Sequence, residues 1–168
     1  MNVARNRTVT LYAAFVGLGI VSTAAPATAQ TALSGLAGNW SGGGQIRLQD
    51  GRSERISCRA FYTPRDGGTS MGLALRCAST SYKIEFRSSI QLNGNRVSGT
   101  WEERSFNAGG SVSGSASNGA LNMAFSGTLT GSMSVSYGPS SQRVSINTGG
   151  GGLSSVSLSL SRGGSENR

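Results

Sequence analysis

From residue 39 onward the chain alternates between apolar and polar residues. Ile56, Cys58, Ala60 and Tyr62 are separated by Ser57, Arg59 and Phe61, and Met71, Leu73, Leu75 and Cys77 by Gly72, Ala74 and Arg76. A period of two is the signature of a strand with one buried face. Trp40 opens the first such segment with Ile46 and Leu48; others follow at 53–63, 70–78, 81–92, 95–104, 111–117, 119–127, 129–137, 142–148 and 153–161. Their separators are turn residues, among them Asp50-Gly51, Asp66-Gly67-Gly68, Asn93-Gly94, Asn118-Gly119, Gly138-Pro139 and Gly149 to Gly152. No segment past Gly38 carries a helical period. Short strands joined by tight turns predict an all-β, antiparallel up-and-down meander closed into a barrel of about eight to ten strands.

Composition adds exclusions. Of 168 residues 26 are glycine, only 13% are charged, and there is no histidine. Imidazole-based triads, Cys/His dyads and His-ligated zinc are therefore absent from the options. The seven carboxylates are Asp50, Glu54, Asp66, Glu85, Glu102, Glu103 and Glu166. Glu102 and Glu103 point to opposite faces of one strand and cannot share a substrate. The glycine-rich stretches lack the Lys-Ser/Thr of a phosphate loop. These features predict no catalytic residues, no metal site, no cofactor and no enzymatic activity.

The first 29 residues read as a secretory leader: Arg5 and Arg7, an apolar run from Val9 to Val21, and Ala27-Thr28-Ala29 as the cleavage site. Residues 30–38 then form a mobile start or a helical turn, 39–162 the barrel domain and 163–168 a tail. Periplasmic or secreted location follows. Outward positions such as Arg55, Arg59, Arg76, Lys83, Glu85 and Arg87 are the reverse of a lipid-facing apolar band, so no membrane span is expected after the leader.

Export places Cys58 and Cys77 in an oxidising compartment, where two cysteines allow one intramolecular bridge. A hairpin turning at Gly67-Gly68 sets these two residues directly opposite each other and predicts a disulfide across neighbouring strands. The same reasoning, with a two-residue turn at Ser79-Thr80 and another at Asn93-Gly94, places Arg59, Arg76, Lys83 and Arg104 in one row across four strands. It also opposes Glu85 to Glu102. Ten cations and six anions lie between 47 and 104, whereas 105–161 contain only Arg143. The row is a candidate site for an anionic envelope glycan or lipid; nucleic acid is not expected for an exported chain.

Inside the barrel, Tyr62, Phe86, Trp101, Met123 and Phe125 are the candidate lining of a ligand pocket. Small inward residues in the second half, Gly114, Ala116 and Gly131, predict room for a cavity of at least a few hundred cubic ångströms, on the order of ordinary small-molecule sites. The expected function is an exported, non-enzymatic binding protein. Its partner is a small apolar or amphiphilic ligand in the barrel, or an envelope polyanion outside it.

Gly38-Asn39-Trp40, entering the first strand, resembles the G-x-W opening of the calycin barrels, the lipocalin and avidin relatives. That resemblance implies an arginine from the last strand over the tryptophan, a role matched by Arg162. Longer stretches, such as Leu36 to Gly44, Glu54 to Ala60, Leu75 to Ser79 and Val97 to Trp101, resemble a group of small exported bacterial proteins without an assigned function. The order Leu36-x-Gly38-x-Trp40, Cys58, Leu75-x-Cys77 is similar to the periplasmic metalloprotease inhibitors, eight-stranded barrels with one disulfide. It implies an inhibitory arm at Gln30 to Gly35 as the alternative function. The chain departs from that pattern in having more strands and no later Trp segment followed by Gly-Asp.

Overall fold

A computed structural model describes residues 33–163. The expected leader, Gln30 to Ala32 and the last five residues of the expected tail lie outside the described residues. Leu33 to Leu36 make one helical turn, closed by the Leu36 amide on the Leu33 carbonyl at 3.0 Å. Ten strands follow: β1 (Gly38–Leu48), β2 (Ser53–Arg65), β3 (Ser70–Ala78), β4 (Lys83–Asn93), β5 (Arg96–Glu103), β6 (Ala108–Ser117), β7 (Ala120–Gly127), β8 (Gly131–Tyr137), β9 (Ser141–Gly150) and β10 (Leu153–Arg162). Each pairs antiparallel with the next, and β10 pairs with β1, so the sheet closes on itself. Closure leaves no exposed edge, which matters for a last strand with so few charges.

The barrel closes at the seam of β1 and β10, which pair from Trp40 opposite Arg162 to Leu48 opposite Leu153, and a side-chain clamp sits at one end of that ladder. Trp40 faces Arg162 across the pair. The Trp40 indole is 1% exposed, and its Nε1–H donates to the Leu36 carbonyl at 2.8 Å. The Arg162 guanidinium lies 4.3 Å from the centroid of that ring. Its N–H groups reach the carbonyls of Pro139 at 2.8 Å, Gly35 at 2.6 Å and Ala37. Leu33 and Leu36 are fully buried beneath this plug. The arginine anticipated from the calycin resemblance is therefore in place, and this end of the barrel is closed.

Glycines on the inner face do not leave space as expected. A Cβ on Gly114 would sit 1.9 Å from the Asn122 carbonyl oxygen, on Gly131 2.3 Å from that of Asn147, and on Gly44 1.8 Å from that of Ser157. The neighbouring backbone has moved into the place of the missing side chain. Small residues here narrow the barrel instead of hollowing it.

Cys58 and Cys77 face each other on β2 and β3 and are bridged, in the register anticipated. Two later registers differ from expectation. Between β3 and β4 the turn has four residues, Ser79 to Tyr82, closed by the Ser79 amide on the Tyr82 carbonyl at 2.9 Å. Glu54 of β2 pins it, accepting from the Ser79 hydroxyl at 2.9 Å and the Ser81 amide at 3.2 Å. Hydrogen bonds from Ser81 and Ser79 hold the Glu54 carboxyl below its ordinary pKa. Between β4 and β5 the central turn residues are Gly94 and Asn95, because glycine takes the positive φ of +63° at the first of them. Each register is thus two residues away from the simple hairpin.

The consequence is electrostatic. Arg59 still opposes Arg76, but Arg76 opposes Glu85, Arg87 opposes Glu102, and Lys83 opposes Ala78. The Arg104 amide donates to the Glu85 carbonyl at 3.1 Å. The expected four-cation row and the expected Glu85/Glu102 pair do not form; the true registers set opposite charges side by side, which is the favourable arrangement.

Replacing Arg162 by Ala removes the cation over Trp40 and strips three carbonyls of their donor, with an expected loss of about 2–4 kcal/mol. Arg162→Lys is expected to recover less than half of it, because an ammonium lacks the planar fork. Urea unfolding measures both; equal stability of the wild type and the Ala variant would show that the seam does not depend on this side chain.

Candidate functional site

All the short connections on the Trp40 side cap a filled interior. At the opposite end, the connections 79–82, 104–107, 128–130 and 151–152 surround a recess. Phe86 from β4, Trp101 from β5 and Phe125 from β7 form its floor. Their ring centroids are 6.1 Å apart for Phe86–Trp101, 5.5 Å for Phe86–Phe125 and 5.7 Å for Trp101–Phe125. Mutual contact of three rings fixes their rotamers and adds to the area they bury. The Trp101 indole N–H is satisfied by the Ser126 carbonyl at 3.1 Å, so this ring presents only carbon to the recess. Leu129, Ile146, Leu153 and Val156 complete an apolar wall around a cavity of about 80 Å³.

One carboxylate enters this wall. Glu103 is on the same face of β5 as Trp101 and is only 7% exposed. One of its oxygens accepts the Glu85 amide at 2.5 Å and the other the Phe106 amide at 2.7 Å. The charge is thus met by backbone donors, as a buried carboxylate requires. It also folds the 104–107 connection over the mouth, placing the half-exposed Phe106 ring 6.4 Å from Tyr82. On the other side, the turn between β9 and β10 lies against Leu129 and Tyr82. A Cβ on Gly150 would be 2.9 Å from Leu129, and one on Gly152 3.2 Å from the Tyr82 hydroxyl.

Three of the five residues expected to line a pocket do so: Phe86, Trp101 and Phe125. Tyr62 does not. It is at the closed end, where its hydroxyl accepts from buried Gln142 at 2.6 Å, and burial drives its phenol pKa upward. Met123 packs opposite Met133 and Gly114 in the barrel interior and does not border the recess. The volume is also far below the few hundred cubic ångströms expected, because backbone has advanced where glycines were read as gaps. Of the expected inhibitory arm, Leu33 is buried and the Gly35 carbonyl is bound by Arg162, so that portion is fixed to the closed end.

Glu103, Phe106 and Leu129 escaped the sequence reading. The parity of Trp101 assigns Glu103 inward, and an aromatic in a polar connection marks Phe106. Leu129 precedes its strand and has no such mark.

No family model and no curated protein matches the chain. Among solved structures, the fold is similar to that of an S-type phycobiliprotein lyase from Guillardia theta, with 13% identity and a TM-score of 0.56. The match covers 83% of this chain and 94% of that one. The protein is an all-β, ten-stranded, closed antiparallel barrel of calycin-like architecture with one disulfide. The expectation of a non-enzymatic protein is overturned by this neighbour, which is an enzyme-type protein on the same architecture. Absence of imidazole and of paired carboxylates excludes particular acid–base machinery and does not exclude activity.

Glu103→Ala strands two backbone N–H groups and is expected to lower stability by about 2–4 kcal/mol. Amide exchange at Glu85 and Phe106 is expected to accelerate more than exchange at the Trp40 end. Unchanged protection at both amides would show that Glu103 does not hold the mouth.

Proposed function

We propose that the protein is an exported barrel that takes the apolar end of a small apolar or amphiphilic molecule into its mouth. The observation that carries this reading is the recess floored by Phe86, Trp101 and Phe125, whose surface is almost wholly carbon. Glu103, the carboxylate in its wall, is already engaged by two backbone amides, so the recess offers little to a polar ligand and gains by excluding water. Its volume of about 80 Å³ admits only part of a molecule. Small-molecule sites usually hold about 300 Å³ or more, so binding requires Phe106 and Leu129 to move outward. These residues belong to connections, where displacement is least opposed by neighbouring strands.

Export is supported by the leader-like first 29 residues and by the Cys58–Cys77 bridge. Among the described residues no helix is long and apolar enough to cross a membrane. The outward positions of β2 to β4, including Arg55, Arg59, Arg76, Lys83 and Arg87, are exposed. The lyase neighbour adds that a bound molecule is to be followed for chemical change as well as for occupancy.

The test uses the dye 1-anilinonaphthalene-8-sulfonate, whose emission rises in apolar sites. Leu129→Asp puts a charge in the wall and is expected to weaken dye binding about tenfold or more. Tyr62→Phe, at the closed end, is expected to leave dye affinity unchanged. Dye binding insensitive to Leu129→Asp would place the site elsewhere.

A further inference from the structure

The outer wall carries a second recess, on the other face of the sheet from the mouth, with Ile84 of β4 bordering both. It spans β1 to β4 and has a volume of about 510 Å³. Its shape follows from side-chain size. Ser159, Gly43, Ser57 and Ala78 are successive cross-strand neighbours on β10, β1, β2 and β3, and Lys83 ends the row on β4. The next outward row contains Arg59 and Arg76, directly opposed. Among the lining residues, the small Ser57 and Ala78 leave the floor low, Arg59, Arg76 and Glu85 form one bank, and the Lys83 ammonium closes the end.

Three cations face one carboxylate here, Glu85 across from Arg76, so the recess keeps an excess of positive charge. Among the described residues the ion pairs are Arg52–Asp50 and Arg104–Glu102, and neither involves Arg59, Arg76 or Lys83. Glu85 is the single carboxylate lining this recess. Arg59 and Arg76 are like charges directly opposed, which is destabilising; Glu85 offsets this from one side, and an anion lying over the pair would relieve the rest.

We infer that this recess binds an acidic polysaccharide, a chain bearing carboxylates at intervals. Two arginines offer fork-shaped donors to carboxylates. Hydroxyls of Ser41 and Ser57 lie beside them for the sugar hydroxyls. A chain can follow a recess across a curved wall, whereas a headgroup plane touches such a wall along a line. The recess also lacks the exposed large apolar side chain by which surface-bound proteins anchor in lipid; Phe106, the exposed large hydrophobe among the described residues, is at the mouth. Binding here is independent of the proposed apolar site.

The probe is polygalacturonate, with neutral dextran and equimolar phosphatidylglycerol–phosphatidylcholine vesicles in parallel, and calorimetry as the readout. Polygalacturonate is expected to bind at low salt and to weaken steeply toward physiological salt, where the screening length falls to about 8 Å. Arg76→Gln with Lys83→Gln is expected to reduce affinity about tenfold, with thermal stability little changed, because Arg76 gives up both its like-charged neighbour Arg59 and its opposite-charged neighbour Glu85. Arg65→Gln with Arg96→Gln removes equal charge outside the recess and is expected to change affinity less than twofold, on the order of a remote, screened charge. Glu85→Gln is expected to strengthen binding. Equal losses from the two double variants would reduce the effect to net charge and overturn the site, as would tighter binding to the vesicles than to polygalacturonate. Loss of dye binding at the mouth leaves these results untouched, so the two readings fail separately.

Discussion

Ten strands make a barrel only if the first and last are held together; the β1–β10 ladder does this over nine paired positions, and Trp40 with Arg162 clamps its end. The tryptophan fills the closed end, and the guanidinium covers its ring while collecting carbonyls from the entering helical turn and the 138–140 connection. An arginine suits this place because its fork satisfies several acceptors from one face while remaining attracted to the ring. With one end sealed in this way, the opposite end is the one left to receive a molecule. The polarity of the barrel, closed at Trp40 and open at Trp101, follows from this single contact.

Narrowness is the second constraint. Inward glycines let backbone approach backbone, and the interior fills without large voids. The recess survives at the mouth, where three aromatic rings support one another. A small preformed cavity rimmed by connecting segments separates two properties: the floor is rigid, while the rim of Phe106, Leu129 and the glycine turn is the part able to yield.

The alternation of residues such as Ile56, Cys58, Ala60 and Tyr62 made the strands legible from sequence, and turn residues located their ends to within a few positions. The Cys58–Cys77 pairing was legible because the hairpin between β2 and β3 is symmetric about its glycines. Register failed at the next two turns for local reasons. Glu54 reaches from β2 to widen the 79–82 turn, a contact between residues far apart in sequence, and the demand for positive φ moved the following turn by one residue. Parity assigned Phe86, Trp101 and Phe125 inward, but parity carries no height along the barrel axis. On parity alone Tyr62 therefore groups with residues at the other end. Glycines at positions such as Gly114 were ambiguous between a gap and a close approach, and only the positions of neighbouring carbonyls decide.

The chain has two tryptophans, one at each end of the barrel, and their indole N–H resonances report on the two ends separately. The most direct measurement is an NMR titration of the ¹⁵N-labelled protein with a single-chain amphiphile below its micelle concentration. A ligand seated at the mouth shifts the Trp101 indole signal with saturation while the Trp40 signal stays in place. A shift at Trp40 alone, or none at either indole, would contradict a ligand site at the mouth.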